Sequence, residues 1–579
     1  MKREILNFID ENGLSPLSRG KSSLKSKGKS VFKTPDARKI HREVVSLVSK
    51  KFVFPETSNV FNYFEFSQSV EVVNQRQEFF KALKKRGRFE NGFLKELSKP
   101  SATWRPDYDV VVVTENSETF NELKKKGCPA QLILSDQDVA SLEGRDIVQV
   151  LDCDESQMAL EQLPQSVFLR SIDEAYLERY LEDVSGWGEN LKILKDYVRD
   201  EDLKSLVEDL YPLLELTKSS DKEGLSFDGV KEKVSEINDR VTQKAKDLSV
   251  SGDSLVSMLN KGELPKEIKD LVLHEIKKEG IPEEVVNLEI PLSVDEQELE
   301  KIITKQDREK FSNKAEKVKE NADKLKKVPE KLGKLSNLLV FYDFVTGISQ
   351  FVENKDSFPE ISEDLDLSES ENLLLDSPQP ISFHLDQENR ASILTGANSG
   401  GKTTLMEHVL QVVSLLYLGL PAKGKAKVPL FASVYYFAKN KGAISKGAFE
   451  NLLDQMSKIS PAEEGKTLIL ADEIESVTEP GVAGKIIAAT ADYFIKRNCY
   501  LIVATHLGHE IQYSLPEKTR IDGIEAKGLN ENFELVVNHD PVKGRLANST
   551  PELIVERMAN YFQEDYFRHL DEFMKSQKG

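Results

Sequence analysis

The chain has 579 residues, 31% of them charged, and a formal net charge of −19; this excludes a globally basic nucleic-acid-coating protein, although a local basic surface remains compatible with it. Its three cysteines, Cys128, Cys153 and Cys499, are far apart with no metal-ligand spacing, which points to a reducing compartment and away from a disulfide framework. No signal-peptide pattern stands at the start and no apolar run of about 18 residues is read, so the expectation is a cytoplasmic protein with no membrane partner.

A chain of this length should hold roughly three to five domains. Residues 1–39 open with a short helical candidate, "MKREILNFIDENG", and continue as a basic flexible segment. There Arg19, Lys21, Lys25, Lys27, Lys29 and Lys33 alternate with Ser and Gly. Such a segment is either a solvated linker or an arm that contacts phosphates. Residues 40–104 read as helical. Within them "NYFEF" (62–66) sets aromatics beside a glutamate, as a DNA-wedging motif would. Aromatics bury so much area that core packing is the better reading.

Residues 105–170 change texture. "YDVVVVTE", "AQLILS" and "DIVQVLD" are short apolar runs between polar stretches, the pattern of a small α/β domain on a parallel sheet. It carries no phosphate loop and reads as a connector. Residues 171–354 are long, charged helix. Val230, Val234, Ile237 and Val241 form a narrow apolar stripe, which suits a lever arm or an ordinary helical bundle. The stretch 293–332 would be the returning arm. Prolines and a β-like run between the two mark a tip at about 225–295.

Residues 355–560 return to α/β texture. "TGANSGGKTT" (395–404) has Gly396, four residues, then Gly401, Lys402 and Thr403, the spacing of a phosphate-binding loop. Its glycines let the backbone curl so that N–H groups face phosphate oxygens. The expected ATP-binding residues are Gly396, Ala397, Asn398, Ser399, Gly400, Gly401, Lys402, Thr403 and Thr404. Lys402 should reach the β- and γ-phosphates, and the Thr403 hydroxyl should ligate Mg²⁺. The run "KTLILADE" is an apolar strand ending in Asp472 and Glu473. Asp472 is placed to hold Mg²⁺ and Glu473 to polarise the attacking water. "YLIVATH" is a further buried strand, whose terminal His506 can position that water or sense the γ-phosphate. "SKGAFE" (445–450) reads as a helix N-terminus, which attracts phosphate. Residues 561–579 close the chain as helix.

These motifs resemble the ATPase of the MutS family. "TGANSGGKTT" is similar to that family's T-G-x-N-x-G-G-K-[ST]-T loop, and Asn398 makes the match more specific than a generic phosphate loop. "LILADEIESVTEPG" is similar to its Asp-Glu strand but departs from the following D-E-x-G-x-G-T. "ATH" matches the histidine motif, and "VNHDPVKGRLANSTPELIVERMA" looks like the closing strand, turn and helix. The strong resemblance covers 380–560. It is similar to the short archaeal MutS-like proteins of the second branch, so the expectation is a chain without the mismatch-recognition domain or a C-terminal nuclease-like domain. Position 63 is Tyr, so "NYFEF" does not supply the Phe-x-Glu wedge in register. The fold class implied is α/β plus all-α. It comprises a C-terminal ABC/SMC-like P-loop ATPase domain, a central long-helix lever and clamp, and a small α/β connector-like domain near the N-terminus.

The resemblance implies an ATP-hydrolysing, DNA-binding homodimer that uses ATP and Mg²⁺. Ser445, Gly447 and Phe449 would touch the nucleotide held by the other subunit. A second class of function is an SMC-like ATPase that acts on protein assemblies without binding DNA, which the net charge of −19 favours. The basic clusters "KKRGR" (84–88) and "KGKAK" (423–427) favour DNA.

Overall fold

The computed structural model describes every residue except 18–29, 65, 68, 87–89, 101–108, 218–224, 246–263, 290, 356, 397–400, 440–447, 462–464, 474–479, 530–534, 548–550, 563 and 577–579. The chain divides into two compact units. One joins Met1–Lys99 to Lys334–Gly579, and the other is Pro100–Gly333.

The first unit is built on a six-stranded sheet in the order Phe431–Phe437, Lys466–Asp472, Cys499–Ala504, Ala391–Gly396, Thr519–Ile524, Val542–Lys543. All neighbours are parallel except the last pair. The sequence shows why these strands sit inside. "TLILA" and "YLIVA" are unbroken apolar runs, as strands covered on both faces must be. Side chains alternate across the sheet. Leu468, Leu470, Tyr500 and Ile502 join one core with the helix Lys402–Leu418. Ile469, Ala471, Leu501 and Val503 join another with the helix Pro480–Ile495. Fourteen of the seventeen residues of Lys402–Leu418 are buried, so this helix is wrapped on nearly every side. A second, four-stranded sheet has the order Glu360–Ile361, Lys423–Val428, Leu365–Glu371, Ile381–Leu385.

The N-terminal residues complete this unit. Within 1–39, the helical candidate at the start is the helix Lys2–Glu11, which buries Ile5 and Ile9 completely. Phe32 forms a parallel bridge with Val434, and a helix runs from Pro35 to Ser49. Its N-cap, Thr34, accepts from the Ala37 N–H and from Tyr436 N at 2.9 Å. His41 Nδ1 lies 2.6 Å from Ser414 Oγ on the wrapped helix. The basic residues 19–29 lie outside the described residues.

Phe61, Phe64, Phe80 and Phe344 pack into one core, and Phe64 is 4% exposed. That core includes the end of a run missed in sequence. Among the described residues, Ala322–Val352 is long and apolar enough to cross a membrane, and 78% of its apolar window is buried within the structure. Asp343, among the apolar residues of that run, is fully buried. It accepts from Val53 N, Phe54 N and the Thr57 hydroxyl at 2.7–3.1 Å.

The second unit contains a four-stranded parallel sheet in the order Ala130–Leu132, Val110–Thr114, Ile147–Val150, Ser166–Phe168. The first three strands are the runs read from sequence; the short, exposed edge strand Ser166–Phe168 is additional. In the same unit Val230, Val234, Ile237 and Val241 are all buried. They pack against Ile268, Val272 and Ile276 of the helix Lys266–Lys278 and against Leu299. The stripe is therefore the inner face of a small packed body. A helix of 25 residues follows, Glu296–Glu320.

Candidate nucleotide site

The strand Ala391–Gly396 lies in the middle of the six-stranded sheet, between Cys499–Ala504 and Thr519–Ile524. At its end the backbone must turn sharply. Gly396 has φ +129, and a Cβ there would overlap the Ile524 carbonyl. Gly401 has φ +92, and a Cβ would stand 2.8 Å from His539 Nδ1. Both positions require glycine. The residues between that are expected to cradle phosphate, Ala397, Asn398, Ser399 and Gly400, lie outside the described residues.

The helix begins at Lys402, with Gly401 as its N-cap. Lys402 is 3% exposed, and its ammonium donates to the Gly396 carbonyl at the mouth of the loop. Next to it Thr403 donates from Oγ1 to Asp472 Oδ2 at 2.5 Å. Asp472 is level with Ala504 on the adjoining strand, which in turn is level with Leu394 of the loop strand. Parallel pairing in this register brings "LILAD", "LIVA" and the loop to one edge of the sheet. Asp472 is buried, and its Oδ1 has no hydrogen-bond partner. Burial raises its pKa, helped by the charge of Glu473 and opposed by the Thr403 hydroxyl and Lys402.

Glu473 follows in the left-handed region, φ +47, and its N–H donates to the Ala504 carbonyl at 2.9 Å. That kink turns the side chain out of the strand. Oε1 lies 2.9 Å from His506 Nε2, and Oε2 pairs with the Lys439 ammonium. Burial works to raise the Glu473 pKa, but Lys439 and His506 together outweigh it and hold the carboxyl below its ordinary range. His506 stands just past the strand Cys499–Ala504, where Thr505 N donates to the Leu394 carbonyl at 2.9 Å.

The structure thus brings Gly396, Gly401, Lys402, Thr403, Asp472, Glu473 and His506 to one sheet edge, with Thr404 beside them on the helix. Ser445 and Gly447 lie outside the described residues, and Phe449 falls in the helix Ala448–Ser457. Sequence reasoning missed two residues. Lys439 follows the strand Phe431–Phe437, and only the pairing of that strand with Lys466–Asp472 reveals its neighbour Glu473. His539 lies in the connection after the strand Leu535–Val537 and lines a cavity of about 110 Å³ with Leu375, Gln379, Ile381, Gly401, Thr404 and His408. That connection is held by Gln379, whose Nε2 donates to Asn538 Oδ1 at 2.9 Å. A larger cavity, about 860 Å³, is lined by residues such as Arg38, Arg42 and Phe61 and by none of these site residues.

The donor set suits a divalent ion. A hydroxyl and a buried carboxylate with one vacant oxygen are hard oxygen ligands of the kind Mg²⁺ takes beside phosphates. A buried cation and a glycine-rich turn at a helix N-terminus suit the phosphates themselves.

No family model matches the chain. Among curated proteins it is similar to the "DNA-binding protein MutS2" of Pyrococcus furiosus, 35% identical over 329 residues, covering 54% of this chain and 55% of that protein. It is similar to the "Endonuclease MutS2" of Borreliella burgdorferi, 24% identical over 405 residues, covering 65% of this chain and 48% of that one. The "Endonuclease MutS2" of Fusobacterium nucleatum is 25% identical over 271 residues, covering 43% of this chain and 33% of that one. The chain spans about half the length, or less, of these relatives. They are MutS2 proteins, members of the MutS family, and the second-branch resemblance stated from the motifs fits them.

Proposed function

We propose, from a chain similar to the MutS2 proteins of the MutS family, a DNA-binding protein that hydrolyses ATP and takes part in DNA repair or recombination. The observation that carries this reading is the pairing of Thr403 with Asp472 and of Glu473 with His506 at one edge of a parallel sheet.

Lys402 exchanges the Gly396 carbonyl for the β- and γ-phosphate oxygens. This adds a buried cation where negative charge gathers during phosphoryl transfer. The base enters the cavity beside Gly401 and His539. Thr403 and Asp472 would hold Mg²⁺, which when bound neutralises charge on the phosphates. Glu473, ionised, accepts a proton from the in-line water through a lone pair not used by Lys439 or His506. His506 and Lys439 hold that carboxylate in place.

In the same reading two chains pair around two nucleotides, with Ser445, Gly447 and Phe449 of one chain meeting the γ-phosphate held by the other. Contacts made only in the paired state let ATP favour it by differential binding. The lever and clamp comprise 171–354, with the packed body around Val230 and Val272 as the tip. DNA is held by structure or without sequence preference. Two of the relatives carry "endonuclease" in their names; no nuclease step is proposed for this chain.

The test is steady-state ATP hydrolysis with Mg²⁺ by the full chain, beside duplex, mismatched, branched and single-stranded DNA binding with and without ATP. Hydrolysis together with an ATP-dependent change in DNA affinity is expected. A chain that hydrolyses ATP but binds none of these DNAs at low salt would instead support an ATPase of protein assemblies.

A further inference from the structure

The two basic clusters noted in sequence, near residues 84 and 423, are brought together within the nucleotide-binding unit. Lys84 donates from Nζ to the Lys355 carbonyl at 2.7 Å. Lys355 donates to the Phe351 carbonyl at 2.6 Å and sits 3.7 Å from the centre of the Phe351 ring. The segment after Lys355 is tied to the second cluster, because Ser357 bridges Ala422 and its hydroxyl donates to the Gly424 carbonyl at 2.6 Å. Lys51 enters from a third segment; its carbonyl would lie 3.1 Å from a Cβ on Gly347 of the same helix.

The local charges do not balance. Glu371 pairs with Lys423 at 2.8 Å, and Glu78 pairs with Lys81 at 2.9 Å. Lys427, further along its strand, faces Glu360 and Asp366 across the sheet. Among the described residues no carboxylate pairs with Lys51, Lys84 or Lys355. Lys355 is half-buried and lies at a helix C-terminus, where the exposed carbonyls favour a cation. Even so its pKa is pushed down to about 8, by burial first and then by Lys423 and Lys51. Like charges are gathered here at a cost, on a chain whose net charge is −19.

We propose that Lys51, Lys84, Lys355 and Lys423 form a contact surface for the phosphodiester backbone of duplex DNA on the nucleotide-binding unit itself. The inference rests on the reading that the chain binds DNA, and adds where on this unit the backbone is met. A row of phosphates supplies the missing negative charge, and ammonium groups on long stems can follow a backbone without reading bases.

The experiment uses the full chain and a blunt duplex of about 40 base pairs, titrated with KCl from about 50 to about 300 mM. Lys51→Gln/Lys84→Gln removes two charges and leaves the helix cap made by Lys355 in place. The slope of log affinity against log salt should become shallower by about 1.8, two contacts at about 0.9 each. Lys51→Arg/Lys84→Arg should keep the original slope. Lys485→Gln/Lys496→Gln, an equal loss of charge on the helix Pro480–Ile495 and the residue just after it, should also keep it. ATP hydrolysis without DNA and the melting temperature serve as checks that the variants fold.

If the unmodified chain binds duplex and the Gln pair leaves the slope unchanged, the surface is overturned while the DNA reading stands. An Arg pair that loses slope as the Gln pair does would overturn it too. If the unmodified chain binds no duplex, the DNA reading itself fails and takes this inference with it. A slope loss seen with an RNA duplex and not with DNA would overturn the assignment to DNA.

Discussion

Glu473 Oε1 and His506 Nε2 are 2.9 Å apart although 33 residues separate them in the chain. They meet because Glu473 follows directly, and His506 one residue later, on two neighbouring parallel strands, in a register that sets Asp472 opposite Ala504. The pair is ordered by the sheet, with Lys439 on the other carboxylate oxygen.

Glu473→Ala should leave nucleotide binding intact, since Lys402 and the loop remain, while hydrolysis is lost. Sizing with ATP and Mg²⁺ should show a larger species accumulating. A variant that neither binds ATP nor changes size would assign Glu473 a structural role instead.

Lys439→Ala tests the electrostatics of the same carboxylate. Lys439 helps to hold Glu473 below its ordinary range, so its loss raises that pKa and protonates Glu473 earlier as pH falls. The acid limb of the kcat profile should therefore move to higher pH. An acid limb that stays in place would mean that Glu473 is not the group being titrated.

Lys402→Ala should reduce steady-state hydrolysis by a factor of about 10² to 10³ or more, because no other described cation stands in the loop. Activity within about threefold of the unmodified chain would remove this loop from the proposal.

Asp472→Asn separates function from stability. Asp472 is buried with one oxygen unpartnered, and burying an ionised carboxylate is costly. The neutral Asn should give a melting temperature equal to or above the original without nucleotide, yet demand more Mg²⁺ for half-maximal hydrolysis. A variant with unchanged Mg²⁺ dependence would count against Asp472 as a metal ligand.

His408 offers a pH test of the fold. It is 3% exposed, its Nε2 lies 3.0 Å from Ser370 Oγ, and burial pushes its pKa down to about 4. Between its ordinary value of about 6.5 and about 4, the unfolded chain takes up a proton that the folded chain refuses. Stability should fall across that window as pH drops, by about 3 kcal/mol in all. His408→Gln should flatten this part of the curve of melting temperature against pH, whatever it does to the plateau. An unchanged slope would mean that other groups carry the acid sensitivity.

Mismatched and perfect duplex should bind with less than about a fivefold difference, since 1.4 kcal/mol would already give tenfold. Phe64, the aromatic nearest to a wedge motif, is packed against Phe61, Phe80 and Phe344 and has no free edge to insert. A preference above about twentyfold would point to an aromatic elsewhere or to a rearranged core.

The six-stranded sheet was legible where burial on both faces leaves unbroken apolar runs, as in 391–395, 467–471 and 500–504. The loop was legible because glycine and lysine spacing is dictated by phosphate geometry. Other features depend on distant pairing, which leaves no local pattern. Phe32 joins Val434 across about 400 residues of chain, and nothing near residue 32 announces it. "KGKAKV" is a strand with a bulge between Lys423 and Lys425, yet in sequence its lysines read only as a basic cluster favouring DNA. Lys439 and His539 are single polar residues in the segments that follow strands, where periodicity says nothing. The stripe at Val230 was visible, but an arm and a packed body share that pattern.

The division of the chain also sets an order of maturation during synthesis. Pro100–Gly333 is continuous and can complete its own cores while the ribosome is still at work. The first 99 residues have no such partner at hand, because they belong with a segment that begins at Lys334. The strand that delivers Gly396 is flanked by 499–504 and 519–524, both made long after it. Until those emerge, helices such as Lys2–Glu11 and Pro35–Ser49 expose the apolar faces they later bury, the condition in which a nascent chain relies most on chaperones.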